Sequence, residues 1–190
     1  MKMQSSPSTV YSQSIDKQRI VVVGQSSSRI VEMILFVLNH YKRKFDFSTP
    51  NAENLSGAII LIVEPDHRSN NHLQYNHHIL IISQLSANDK VATSQLAGIT
   101  PKSGTIIYDE TDAVAREIGK AERADVTSNP FTRAHHEIQN GKVVLISSTH
   151  EKFPTQLSTT DLKNISAAKE LLKKIGVSSS QFYRAIASFQ

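Results

Sequence analysis

The chain has 190 residues, 39% hydrophobic and 20% charged, with a formal net charge of +4 at pH 7. That length supports one sizeable core and predicts a single domain, and the absence of cysteine excludes disulfides and thiolate metal sites. No apolar run approaches the ~18 residues of a membrane span and none reads as a signal-peptide core, so the expectation is a cytoplasmic protein with no membrane partner.

Residues 1–14 are polar, serine-rich and aperiodic, and are expected to form a loose arm ahead of a domain spanning 15–190. Arg19-Ile20-Val21-Val22-Val23 is a β-branched run of the kind buried on both faces of a sheet. Gly24 ends it and Gln25 to Arg29 make a turn. From Ile30 the spacing changes to that of a helix, through Val31, Ile34, Leu35, Val37, Leu38 and Tyr41. Lys42-Arg43-Lys44 follows, read as a solvated cap at a helix C-terminus rather than a nucleic-acid patch. Residues 44–47 can form a short strand and 48–56 a loop. Gly57 to Glu64 and Ile79 to Ser83 read as further buried strands, separated by a polar, histidine-rich segment.

A loop and helix are expected over Ser86–Leu96, then a strand at Thr105–Tyr108 and a helix capped by Asp112 that uses Val114, Ile118 and Ala121. Residues 125–133 are weakly patterned. Asn140-Gly141 between Glu137-Ile138-Gln139 and Lys142 to Ile146 signals a two-residue hairpin turn. Lys152–Leu157 can add a strand. Two helices close the chain, one lined by Leu162, Ile165, Ala168, Leu171, Leu172 and Ile175 and stopped by Gly176, the other lined by Phe182, Ile186 and Phe189. Strands alternating with helices predict an α/β fold, a three-layer sandwich with a mainly parallel sheet.

Strand, tight turn and serine-led helix are where such folds hold a phosphate. A working phosphate loop needs later glycines and then Lys-Ser/Thr for the β/γ-phosphates and Mg²⁺. Here those places read Ser27, Ser28 and Arg29. Ser26, Ser27, Ser28 and Arg29 can still hold an anion, the plainer alternative being serines that only cap the helix.

The order of these pieces resembles the central, ATP-binding domain of the Mur ligases. The resemblance runs from Tyr11 to Phe189 and rests on Asp16 to Gly24, Met33 to Leu38, Gly104 to Asp112, His136 to Lys142, Asn164 to Lys169 and the tail Phe182 to Phe189. It implies a P-loop NTPase-like fold and an ancestry in ATP-dependent ligation, in which a carboxylate is activated as an acyl phosphate and captured by an amine.

Residue by residue, the resemblance also implies loss. The family loop G-x-x-G-K-S/T starts at Gly24, but Ser27 stands for its second glycine, Ser28 for its lysine and Arg29 for its Mg²⁺-ligating hydroxyl. The acidic residue after the second strand is kept as Glu64. Asn88-Asp89 takes the place of an Asp-His pair, so Glu64 and Asp89 are vestigial metal positions. Thr160-Asp161 replaces the His-Asn whose asparagine meets adenine, and only Asn164 survives on that side. Losing one such electrostatic group costs about 3–4 kcal/mol of transition-state stabilisation. The family also carries a UDP-sugar-binding domain before this one and an amino-acid-binding domain after it, and Phe189 reads as a residue against which a neighbouring domain packed.

Other constellations are weaker. Glu64, Asp66 and His67 could bind a divalent cation or simply form a solvated loop, with Asp89 as the one further candidate ligand. His72, His77, His78, His135 and His136 lack zinc spacing and read as surface residues, and no G-x-S-x-G elbow supports Ser-His-Asp chemistry. Asp161 and Asn164 read as helix-ordering residues, with binding as the alternative.

The leading expectation is a non-catalytic, stand-alone Mur-ligase-like domain with no cofactor, acting on another protein as a binding or regulatory element of peptidoglycan precursor metabolism. One rival is an ATP- and Mg²⁺-dependent acid–amino-acid ligase completed by a partner. Another is a structural subunit docking on a genuine Mur ligase through an apolar patch at the C-terminal edge of the sheet. The oligomeric state is left open.

Overall fold

A computed structural model describes residues 5–65, 72–120 and 123–190. Asp66, His67 and Ala121 lie outside the described residues, as does the side chain of His72. No described helix is long and apolar enough to cross a membrane.

The elements run α1 (Pro7–Ser12), β1 (Gln18–Val23), α2 (Ser27–His40), β2 (Asp46–Ser48), β3 (Glu53–Asn54), β4 (Ile60–Val63), β5 (Ile79–Ile82), α3 (Lys90–Gly98), β6 (Thr105–Asp109), α4 (Ala113–Gly119), β7 (Thr127–Phe131), β8 (His136–Gln139), β9 (Lys142–Ile146), β10 (Lys152–Pro154), α5 (Leu162–Lys174) and α6 (Ser179–Ile186). Seven strands form one sheet in the order β3-β2-β4-β1-β5-β6-β7, parallel throughout except for the β2–β3 pair. This is the α/β sandwich that the alternation of strand and helix patterns predicts.

The period of a strand divides the apolar side chains between two cores. Ile20, Val22, Ile60, Ile62, Ile79, Ile81 and Ile107 face a core shared with α2, α5 and α6, where Met33, Ile34, Ile165, Leu172 and Phe182 are buried. Val21, Val23, Leu61, Val63, Leu80, Ile82 and Ile106 face the other, filled by Val10, Leu96, Ala115 and Ile118. Both faces are covered, which is why these strands read as unbroken apolar runs.

Strand β1 lies centrally, between β4 and β5, and chain direction along the sheet reverses about it. Open α/β sheets bind ligands at such a reversal, beyond the strands' C-terminal ends. Gly24 to Arg29 occupy that place. A second, antiparallel sheet, β10-β9-β8, carries the hairpin. Asn140 (φ 50°) and Gly141 (φ 75°) both have positive φ, as the two-residue turn requires.

Five features depart from the sequence reading, the first being the two-residue strand β3 (Glu53–Asn54) inside the expected loop 48–56. Within the expected arm, Ser6 caps a helical turn with Pro7 at its start, and Val10 is fully buried. Arg19 anchors the segment by donating to the Ser14 carbonyl at 2.6 Å and lying 5.0 Å from the Tyr11 ring centroid. The weakly patterned Thr127–Phe131 is the parallel edge strand β7; an edge strand with few buried residues shows no apolar run. Phe189 is buried, edge-on to Phe36 at 5.1 Å between centroids, so this chain supplies its own partner. His77 is 1% exposed and bonds Thr100 Oγ1 through Nε2 at 2.9 Å, against the expectation of a surface histidine.

Candidate functional site

The site is built on the turn after β1. Gly24 has φ +112°, and a Cβ there would lie 2.2 Å from Ser83 Oγ and 2.9 Å from the Gln84 carbonyl oxygen. Only glycine fits so close an approach. The turn then closes on itself: Gln25 N donates to Gln84 O at 2.8 Å and Ser27 N to Gly24 O at 3.1 Å. The Gln25 and Ser27 amides are occupied within the protein.

None of the serines caps the helix, and two of the three are engaged elsewhere. Ser26 is the N-cap residue, but its side chain makes no capping bond. Ser27 Oγ and Ser28 Oγ both donate to Glu64 Oε1, at 2.8 and 2.5 Å. Glu64 follows β4, is 4% exposed, and its backbone N–H donates to Ser48 O at 2.9 Å. A buried carboxylate thus sits beside the first turn of α2, where the helix dipole favours negative charge. The solvated-loop reading of Glu64 is overturned by this burial.

Arg29 turns the other way. Its Nε donates to Asp161 Oδ1 at 3.1 Å, Nη1 donates to Glu32 Oε2 at 3.1 Å, and its guanidinium carbon lies 4.6 Å from the Phe189 ring centroid. Partial burial opposes the charged form, but the bonds to Asp161 and Glu32 outweigh it and hold the Arg29 pKa above its ordinary value. The other oxygen of Asp161 accepts from Ser158 N (3.2 Å) and Ser158 Oγ (3.1 Å), so the residue also orders the turn before α5. Asn164 is buried in the first turn of α5.

Asp89 is placed apart from Glu64's serine contacts. Its Oδ2 accepts from Ser86 Oγ at 2.6 Å, and it borders, with Gly24 and Pro65, a cavity of about 30 Å³. That is the volume of about one water molecule. Among the described residues no three His, Asp or Glu side chains cluster as metal ligands. The sequence reading missed one pair at this edge: Lys163 Nζ donates to the buried Asp109 Oδ2 at 2.8 Å, while Thr111 donates to Oδ1 from both N (2.9 Å) and Oγ1 (2.8 Å). Asp109 ends β6 and Lys163 lies 54 residues on, a separation that no local pattern signals.

The arrangement aligns with solved structures over nearly its whole length. A murein peptide ligase from Psychrobacter arcticus matches 96% of this chain at 14% identity with a TM-score of 0.70. A UDP-N-acetylmuramate:L-alanyl-gamma-D-glutamyl-meso-diaminopimelate ligase from Neisseria meningitides matches 97% at 10% identity and 0.72. A UDP-N-acetylmuramoylalanyl-D-glutamyl-2,6-diaminopimelate–D-alanyl-D-alanyl ligase from Acinetobacter baumannii matches 97% at 13% identity and 0.73.

The chain has the Mur ligase central-domain fold.

It spans 49%, 70% and 48% of those three proteins, respectively. No protein-family model and no curated protein sequence matches it. Identities this low carry the fold alone. The six exposed large hydrophobics among the described residues do not gather at the C-terminal edge; Ile15 and Ile59, at 62% and 75% exposure, stand just before β1 and β4, at the opposite end of the strands.

Proposed function

We propose that this chain is a non-catalytic Mur-ligase-like domain that acts as a binding or regulatory protein in peptidoglycan precursor metabolism, with another protein, such as a genuine Mur ligase, as its partner. The observation that carries the first half of this reading is the Glu64 carboxylate held by Ser27 and Ser28 at the head of α2. A phosphate brought to the same helix end meets a buried negative charge, and the Ser27 and Ser28 hydroxyls are already donating to it.

The donor set does not fit a Mg²⁺–nucleotide. No lysine follows the loop, Ser28 standing in its place, and Arg29 is committed to Asp161 and Glu32. The link to cell-wall precursors rests on the fold, which by itself is a thin warrant for function. A cytoplasmic location belongs to the same reading.

The test is phosphate release from ATP with Mg²⁺, measured for the protein alone and for a genuine Mur ligase with and without it. The reading expects no turnover by the protein alone and a changed kcat or KM for the ligase in its presence. Turnover abolished by Ser28→Ala or Glu64→Gln would instead make this chain a ligase-type ATPase.

A further inference from the structure

A separate cavity of about 310 Å³ opens where the end of β7 runs into β8, walled by β9, α5 and α6. Its size is at the lower end of metabolite pockets. Arg133, His135 and Lys169 line it, with Glu170 as the one acidic side chain among the lining residues. Ser148 and Ser166 supply hydroxyls, Ser147 Oγ being bonded to Thr149 Oγ1 at 2.9 Å, and the buried Tyr183 supplies an aromatic wall.

The surroundings hold these groups in place. Ala134 N donates to Leu162 O at 3.0 Å and Ile146 N to His135 O at 2.9 Å, fixing the backbone on both sides of Arg133 and His135. Tyr183 stacks on Phe153 with 5.2 Å between centroids. Lys169 is partly engaged: its Nζ lies 3.8 Å from Glu170 Oε1 and 5.7 Å from the Tyr183 ring centroid. Arg133 is not. Neither its exposed guanidinium nor the His135 ring makes a hydrogen bond, ion pair or ring contact with a described residue. A guanidinium presents a planar fork of donors matched to the two oxygens of a carboxylate or phosphate. Here that fork borders a concave, net basic, hydroxyl-bearing space.

We propose that this cavity binds a small oxyanion, a carboxylate or phosphate group carried by a molecule of metabolite size, with Arg133 as its main counter-ion and Lys169 and the Ser148 and Ser166 hydroxyls as further donors. The site stands at β7, three strands along the sheet from β1 and its Gly24 turn, so it does not depend on whether that turn holds a nucleotide.

The experiment is a two-dimensional ¹H–¹⁵N NMR titration of the full chain with sodium phosphate and, separately, sodium citrate, using sodium chloride at matched ionic strength as the control. The expected result is saturable shifts at the amides of Ala134, His135 and Ser148 with at least one probe. Arg133→Gln weakens that binding by about tenfold or more, as loss of a charge-assisted bidentate pair should. Lys102→Gln, at the other end of the strands, leaves it unchanged. Saturation by phosphate alone marks a phosphorylated ligand, and by citrate alone a polycarboxylate. Shifts that grow linearly with every salt, chloride included, or saturable binding of equal strength in Arg133→Gln, overturn the proposal.

Discussion

Arg29 and Asp161, 132 residues apart in the chain, are joined by a hydrogen bond of 3.1 Å from Nε to Oδ1. By the resemblance to the Mur ligases, Arg29 stands at the Mg²⁺-ligating hydroxyl and Asp161 at the asparagine that meets adenine. In this chain the two side chains bond each other, and the Phe189 ring packs against the same guanidinium. The pair fastens the head of α2 to the start of α5 and to the residues after α6.

Arg29→Ala should lower stability by about 1 kcal/mol, since the pair is partly solvated and its Coulombic part is screened, with the ring contact adding ~0.5 kcal/mol. Urea denaturation of Arg29→Ala, Asp161→Ala and the double variant would give a coupling energy of about 0.5–1 kcal/mol. Strict additivity would contradict the contact.

Glu64→Gln removes the charge from a buried acceptor of two hydroxyls. A loss of about 1–2 kcal/mol is expected, because hydrogen bonds to an ionised acceptor exceed neutral ones. Chemical denaturation checks this; a change within the scatter of surface substitutions would return Glu64 to a solvated loop.

Gly24→Ala places a methyl group against Ser83 and the Gln84 carbonyl at a φ of +112°. Strain of that kind costs about 1–3 kcal/mol, and a fall in thermal midpoint should report it. An unchanged midpoint would mean that the turn relaxes freely.

Stability should fall on mild acidification. Burial, with smaller contributions from His78 and Arg19, pushes His77 down from 6.5 to about 4. The unfolded chain therefore binds the proton first, so the contribution is full above pH 6.5 and is lost as pH falls towards 4. The total is about 3 kcal/mol. Asp46 acts in a lower window. Burial opposes its charged form, but hydrogen bonds from Lys17, Ser56 and Ala58 bring it from 3.8 to about 2, so its contribution is lost as pH falls through that range. Denaturation midpoints between pH 7 and 4 should fall for the native protein and flatten for His77→Leu; equal slopes would contradict the assignment.

What the sequence disclosed was local. The β-branched run Arg19–Val23, the helical spacing from Ile30, Asp112 as a cap and Asn140-Gly141 as a hairpin turn each carry their own signal, and each is found in the structure. What it hid was pairing at a distance. Glu64 with Ser27 and Ser28, Arg29 with Asp161, and Lys163 with Asp109 leave no trace in periodicity, because each half is an ordinary polar residue until the fold brings the other to it. Val10 escaped notice as the one fully buried aliphatic residue of a polar helix, and β7 as an edge strand with little to bury.

The most direct test is calorimetric titration of ATP and ADP into the protein, with and without Mg²⁺. With Glu64 held by the serines and Arg29 held by Asp161, no saturable heat is expected up to millimolar nucleotide. Micromolar binding that requires Mg²⁺ and weakens in Ser27→Ala would contradict the claim that the protein's own side chains occupy the phosphate position.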